Sequence, residues 1–304
     1  MSSRVRCAIG PAHAPSWLGD AALAADAQLV DVEDAEVLVW FHSGAEQLRM
    51  ALLRGPQIEL VVLPSAGVET YIDALDDRRH FTAAKGVFAA PVAEHALALL
   101  LSGRRGIGAY ARRREWSPAM GTHLLGARVV IIGGGGITRT LLSLLRPFEA
   151  VTTVVRAHPE PLSGADEVVT TAALDRVLAE ADALVLACSL TPRTRGLVGS
   201  AQLEALSNEA TVVNVGRGQL IVTDDLVTAL TEGRIGSAML DVTDPEPLPA
   251  DHPLWQLENC TITPHTANTP RMHRELLSSH VTRSLRRHAA GEPPVGTVNV
   301  HAGY

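Results

Sequence analysis

The sequence predicts an α/β protein: a Rossmann-type doubly wound parallel sheet accompanied by a second, smaller α/β unit. Three observations carry this. From about residue 126 short apolar runs alternate with helix-like segments. The runs are almost unbroken by polar residues, as strands covered on both faces must be. A glycine-rich turn, Gly133 to Gly136, lies directly after the first of these runs and before a helical pattern.

In chain order, apolar runs at 5–9, 35–40 and 58–63 predict the strands of the smaller unit, and 16–25 and 45–53 predict its helices. Pro91 precedes a long helical pattern over 92–114 that bridges to the larger unit. There the strands are predicted at 128–132, 151–155, 183–187, 210–215, 235–240 and 260–263, separated by helices at 137–148, 173–180, 201–206 and 224–232. A helix over 271–290 and the extended "GEPPVGTVNV" follow, and this tail is expected to return to the first unit. The division is therefore 1–92 completed by 281–304 for a substrate domain, and 93–280 for a dinucleotide-binding domain.

A length of 304 residues fits about two domains. A net charge of −7 argues against a nucleic-acid surface. The basic stretch Arg104, Arg105, Arg112, Arg113, Arg114 is read as a solvated helix face. Cys7, Cys188 and Cys260 are widely spaced without a CxxC pair, so neither a disulfide framework nor a metal site is expected and a reducing cytoplasm fits. No apolar leader is read at the N-terminus, and no stretch reaches the roughly 18 apolar residues of a membrane span. A soluble cytoplasmic protein is expected.

"ARVVIIGGGGITRTLL" sets Gly133-x-Gly135-x-x-Thr138 between a strand and a helix. The first glycine permits the tight turn, and the second lets the backbone approach a pyrophosphate. The helix N-terminus supplies unpaired N–H groups and a favourable dipole to the anion. Thr138 stands where a third glycine would allow close packing, so helix and strand are expected slightly further apart. The next strand ends in Arg156 with no acid beside it. An acid there suits the ribose hydroxyls of NAD and an arginine the 2′-phosphate of NADP, so NADP(H) is favoured and NAD(H) stays possible.

Arg217, Glu246 and His265 each follow the carboxyl end of an apolar run, where open parallel sheets bind ligands. Reduction of a 2-oxoacid needs its carboxylate gripped, its carbonyl polarised and a proton delivered. Arg217 suits the first two and His265 the third. Glu246 on the far ring nitrogen would orient the imidazole. Asp241, closing the strand before Glu246, is placed to meet the nicotinamide end of the cofactor. Singly, each admits a plainer reading: Arg217 a salt bridge, Glu246 a turn residue, His265 a satisfied histidine. Together at strand ends they point to a dinucleotide-dependent redox enzyme.

The stretch from "TVVNVGRG" through "LDVTDPEPLP" and "HPLW" to "TPH", with "LLGARVVIIGGGG", "VAEHALALLLSGRR" and "SAGVETYID" upstream, resembles the D-isomer-specific 2-hydroxyacid dehydrogenases, of glyoxylate/hydroxypyruvate reductase type. The likeness covers most of the chain from about residue 60. It implies a flavodoxin-like substrate domain beside the Rossmann domain, usually in a homodimer. By position, it implies that Arg217 binds substrate, His265 is the acid/base and Glu246 its carboxylate partner. Ser65, Ala66 and Gly67 match the loop whose N–H groups hold the substrate carboxylate. Gly136 and Ile137 match the turn over the pyrophosphate, and Cys188, Val215 and Asp241 match positions lining the cofactor. The chain departs from the family at Thr138, at Gly136 (often Arg), at "ACSLTP" (often His-x-Pro-Leu-Thr) and at Asn268 after "HTA" (a glycine in relatives). Substrate size is expected to depend on residues 40–43, 65–68 and those beyond His265.

The implied activity is hydride transfer between NAD(P)H and a small 2-oxoacid or D-2-hydroxyacid, with reduction the expected direction and no nucleic-acid or membrane partner. The alternatives are an NAD(P)-sensing regulatory protein on this fold, favoured by the loosened glycine turn, and an NAD-linked oxidase of another small acid.

Overall fold

The computed structural model describes residues 4–41 and 44–300. Contacts divide the chain into two units, Met1–Phe88 with Thr269–Tyr304 and Ala89–Asn268. The second joint thus falls ahead of the helix Pro270–Ala289, where periodicity alone places it at 280/281, inside that helix.

In the first unit the strands β1 (Arg6–Gly10), β2 (Gln28–Leu29), β3 (Val37–Trp40), β4 (Leu60–Val62) and β5 (His80–Thr82) form a parallel sheet. Its order, β2-β1-β3-β4-β5, is that of flavodoxin-like sheets. Alternate residues feed two cores: Leu60 and Val62 pack on one face, Val61 and Leu63 on the other. Helices α1 (Ser16–Leu23) and α2 (Ala45–Arg54) lie where the apolar pattern puts them. The strands β2 and β5 escape the sequence because they are two and three residues long and carry polar ends. The tail does extend: Thr297 bridges Thr82 antiparallel and the Val298 N–H donates to the Phe81 carbonyl at 2.9 Å.

The C-terminal helix buries His280, 1% exposed, against Leu277, Val281 and Leu285. Among the described residues neither ring nitrogen has a partner, nor does the Ser284 hydroxyl one turn on. Burial, with Arg283 nearby, pushes the imidazole down to about 4 from 6.5. The folded protein keeps it neutral while the unfolded chain protonates it. Stability is therefore full above pH 6.5 and is lost as pH falls toward 4. About 2 kcal/mol should disappear between pH 7.5 and 5. Melting temperatures at both pH values should show a smaller drop for His280→Leu than for wild type; equal drops would remove His280 as the cause.

The second unit opens with α3 (Ala89–Arg104) and α4 (Ile107–Arg112). The helix predicted over 92–114 is broken by Gly106, whose φ of +63° continues no helix. The basic stretch is a solvated face only in part: Arg105, Arg112 and Arg114 are exposed, whereas Arg104 and Arg113 are not. Arg104 is buried, its guanidinium donating to the Asp182 carbonyl at 3.0 Å and the His123 carbonyl at 2.8 Å. Arg112 donates to the Cys260 carbonyl at 3.1 Å, and Arg113 to Glu258 at 3.0 Å. Arginine stems and forks can reach such carbonyls while remaining charged.

Seven parallel strands follow: β6 (Arg128–Ile132), β7 (Val151–Val155), β8 (Glu167–Val169), β9 (Ala183–Leu186), β10 (Thr211–Asn214), β11 (Ser237–Leu240) and β12 (Cys260–Ile262). They are ordered β12-β11-β10-β9-β6-β7-β8. The helices α5 (Gly136–Leu145), α6 (Leu174–Leu178), α7 (Ser200–Ala205) and α8 (Thr223–Thr231) connect them, and Pro270–Ala289 becomes α9. Central β9 shows why the apolar runs are unbroken: Leu184 and Leu186 enter one core and Ala183 and Val185 the other, all fully buried. Each such leucine or valine contributes about 1.5–3 kcal/mol through burial. The edge strand β8 was not predicted; it is three residues long, begins with exposed Glu167 and is nowhere fully covered. Chain order reverses between β6 and β9, so the crevice for a ligand opens at their carboxyl ends.

Candidate active site

The strand register puts the predicted residues of the second unit in one row. Val155, Ile132, Leu186, Asn214, Leu240 and Ile262 are mutual partners across the sheet. The residues just beyond them are Arg156, Gly133, Ala187, Val215, Asp241 and Thr263. Cys188, Arg217, Glu246 and His265 follow within a few positions.

At the reversal, Gly133 has φ +116°, and a Cβ there would lie 2.7 Å from the Ala187 carbonyl oxygen. Gly135 precedes α5 with nothing within 4 Å of the place of its Cβ, so the turn is open at the helix N-terminus. Gly136 and Ile137 form the first turn of α5, whose N–H groups have no partner within the helix. Thr138 is accommodated: it is fully buried and its hydroxyl donates to the Gly133 carbonyl at 2.8 Å. Arg156 ends β7 with its side chain against this turn, since a Cβ on Gly134 would sit 3.0 Å from Nε. Its guanidinium is 3.8 Å from exposed Glu160, a loose pair that leaves donors available. Half-buried Cys188 follows β9, and burial pushes its thiol up to about 11, so it is a wall rather than a nucleophile. Val215 is buried at the end of β10. These residues fit a dinucleotide: an open glycine cradle, a helix N-terminus and an adjacent arginine.

On the other side of the row the structure brings Glu246 and His265 together. The His265 Nδ1–H donates to Glu246 Oε1 at 2.6 Å, the sense required because an ionised carboxylate can only accept. Nε2 is left to face another molecule. Both side chains are about half exposed. Arg217 lies on the loop after β10, anchored by buried Asn214. The amide of Asn214 donates to the Arg217 carbonyl at 2.9 Å and its oxygen accepts from Gly216 N at 3.0 Å. Gly218 allows this loop to press on the next: a Cβ there would be 1.9 Å from the Thr243 carbonyl oxygen. Gln219 also donates to Asp244 at 3.1 Å, two residues before Glu246. The cation and the carboxylate–imidazole pair therefore sit on packed loops of three adjacent strands.

Asp241, 2% exposed, is held below the usual carboxylate range: burial opposes ionisation, but donors from His95, Thr263 and the Thr266 and Ala267 N–H groups outweigh it. Asn214, His95 and Thr263 were not singled out from sequence. Asn214 lies in the "NVGRG" run, so a polar residue closing an apolar strand was its available signal.

Ser65, Ala66 and Gly67 belong to the first unit, just beyond β4. The Ser65 hydroxyl donates to the Gly67 carbonyl at 2.6 Å, curling the loop, and no described carbonyl accepts from these three N–H groups. Trp40 closes β3 and packs over Gly10, whose Cβ would lie 2.7 Å from the indole. His42 and Ser43, in the stretch expected to influence substrate size, lie outside the described residues.

The profile of the family described as "D-isomer specific 2-hydroxyacid dehydrogenase, NAD binding domain" matches residues 97–267. An uncharacterized protein from the proB 3′ region of Corynebacterium melassecola is 37% identical, over 90% of this chain and 91% of its own length. The human glyoxylate reductase/hydroxypyruvate reductase is 35% identical, over 59% of this chain and 56% of its own. Among solved structures, a D-isomer specific 2-hydroxyacid dehydrogenase from Xanthobacter autotrophicus in complex with NADPH and MES superposes with a TM-score of 0.87. It has 25% identity and covers 99% of this chain and 100% of that one.

Proposed function

We propose, from the premise that the chain belongs to the D-isomer-specific 2-hydroxyacid dehydrogenases, that it reduces a small 2-oxoacid to the D-2-hydroxyacid with NADPH. The observation that carries this is the His265–Glu246 hydrogen bond on loops packed against that of Arg217. The glycine cradle and the N-terminus of α5 would hold the pyrophosphate of a dinucleotide, whose reduced nicotinamide would supply the hydride. Arg217 grips the substrate carboxylate and polarises its carbonyl through paired donors. His265 delivers a proton from Nε2 to the forming alkoxide, while Glu246 at Nδ1 stabilises the imidazolium and fixes its direction. Within the first unit, the N–H groups of Ser65, Ala66 and Gly67, from which no described carbonyl accepts, suit an anion such as a carboxylate.

The human relative's name supports glyoxylate and hydroxypyruvate as the size class of substrate. NADPH oxidation on adding glyoxylate, hydroxypyruvate or pyruvate tests the activity; silence with all small 2-oxoacids would leave the rival reading of a dinucleotide sensor. The NADPH in the Xanthobacter structure and the seat of Arg156 against the turn support the phosphorylated cofactor. Arg156→Asp should move the NADPH/NADH ratio of kcat/KM toward NADH by about tenfold or more, the size of one charge-assisted contact. An unchanged ratio would refute the role of Arg156 alone. A cytoplasmic homodimer completes the proposal. The unpaired cysteines Cys7, Cys188 and Cys260 suit a reducing compartment, and the fully exposed Trp116 suits a covered surface. Sedimentation would test the dimer.

A further inference from the structure

His265 occupies a backbone state that is uncommon for a non-glycine residue. Its φ is +52°, in the left-handed region, which costs a non-glycine residue about 1–2 kcal/mol. The loop around it is closed on a single buried group. The His265 N–H donates to the Asp241 carbonyl at 2.8 Å. The next two N–H groups, of Thr266 and Ala267, donate to Asp241 Oδ1 at 2.9 Å and Oδ2 at 3.1 Å. One carboxylate thus ties down both residues that follow the imidazole. Such a residue keeps its strained conformation only where its surroundings over-determine it.

The carboxylate is in turn held from the opposite side. The Thr263 hydroxyl donates to Asp241 Oδ1 at 2.6 Å. That spends its proton, so toward the His95 ring the oxygen can only accept; His95 Nε2 lies 2.9 Å from it and 3.3 Å from Asp241 Oδ1. The tautomer follows from the partners, because an oxygen already donating and a carboxylate both require a donor. His95 projects from α3, a helix of the second unit's core, with its side chain only 23% exposed. A chain of hydrogen bonds therefore runs from that helix through Thr263 and Asp241 to the backbone on either side of His265.

We propose that His95 and Thr263 are positioning residues for the reduction: with Asp241 they hold the 263–267 loop so that the His265 imidazole meets Glu246 and the substrate in one orientation. This deepens the function proposed above and rests on it. The network does not include His265's ring, and neither His95 nor Thr263 is among the residues read as lining the cofactor, so their loss should lower the rate of proton delivery while NADPH affinity holds. Removing an ordered partner from such a network misplaces the group it supports, and a shift on the order of 1 Å costs about 10²-fold.

The test is Thr263→Val, which keeps shape and removes the hydroxyl, set against Thr263→Ser, which restores it. His95→Leu set against His95→Gln does the same from the helix side, the glutamine amide nitrogen standing in for Nε2–H. For each we expect kcat with the best 2-oxoacid to fall about 10- to 100-fold in the first variant. It should recover to within about threefold in the second, while NADPH affinity, read by fluorescence titration, stays within about twofold. Either of two outcomes would overturn the proposal: Thr263→Val and His95→Leu retaining wild-type kcat, or cofactor affinity falling in step with kcat. The second would make the network part of the cofactor site. His265→Ala measured alongside separates the two readings. If it is inactive while Thr263→Val is fully active, only the positioning role fails; if it is fully active, the proposed function fails first.

Discussion

His265→Ala is expected to lower kcat for the preferred 2-oxoacid by about 10³-fold, with NADPH affinity unchanged. A positioned general acid contributes typically 10²–10⁴-fold, and a thousandfold loss corresponds to about 4 kcal/mol of barrier. The imidazole is suited to the task because Glu246 takes its Nδ1–H at 2.6 Å, which leaves a single ring nitrogen to address the substrate. Alanine removes the proton donor but none of the donors at the glycine turn, which lies at β6 rather than β12. Steady-state rates with fluorescence titration of the cofactor separate these contributions. A variant that turns over at the wild-type rate would take the proton step away from His265.

Arg217→Ala should reduce kcat/KM by at least about 10²-fold, acting on both terms. The guanidinium is asked to bind the ground-state carboxylate, which sets KM, and to stabilise charge on the carbonyl oxygen, which sets kcat. Removing one such preorganised donor costs about 10²–10³ in comparable oxyanion sites. Arg217→Lys should recover only part of the loss, because an ammonium keeps the charge but not the fork. The loop that carries the guanidinium is held in place: Asn214 donates to the backbone carbonyl of Arg217, glycine at 218 lets the loop lie on Thr243, and Arg217 Nη1 donates to the Gly216 carbonyl at 2.9 Å. Lysine at full activity would show that charge alone suffices. Unchanged kinetics for alanine would remove Arg217 from the site.

Strand positions were legible where burial is symmetrical. The runs at 128–132 and 151–155 coincide with β6 and β7: the first is apolar after Arg128 because both its faces are covered, and the second, VTTVV, is β-branched throughout. Three of the four edges left none: β2, β5 and β8 are two or three residues long and mix polar with apolar side chains, whereas the fourth, β12, lies in the run at 260–263. The long helix over 92–114 was misread as continuous since its apolar period passes through Gly106 without interruption, and only the backbone's left-handed turn there divides it. The arginines within it look solvent-directed by charge, yet Arg104 finds backbone carbonyls at residues 123 and 182. No local pattern announces an acceptor 78 positions away.

By itself the sequence determined the doubly wound class, the glycine turn and the chemistry available at strand ends. Each is written within a few consecutive residues: an apolar run, then the residue that follows it. Only the tertiary structure decided which of those groups touch. The bond between Glu246 and His265, the loop contact at Gly218 and the route from His95 through Thr263 to Asp241 all join separate strands or helices. Their geometry comes from sheet register and helix packing. Those are set by the summed burial of the whole unit, and no single segment encodes them.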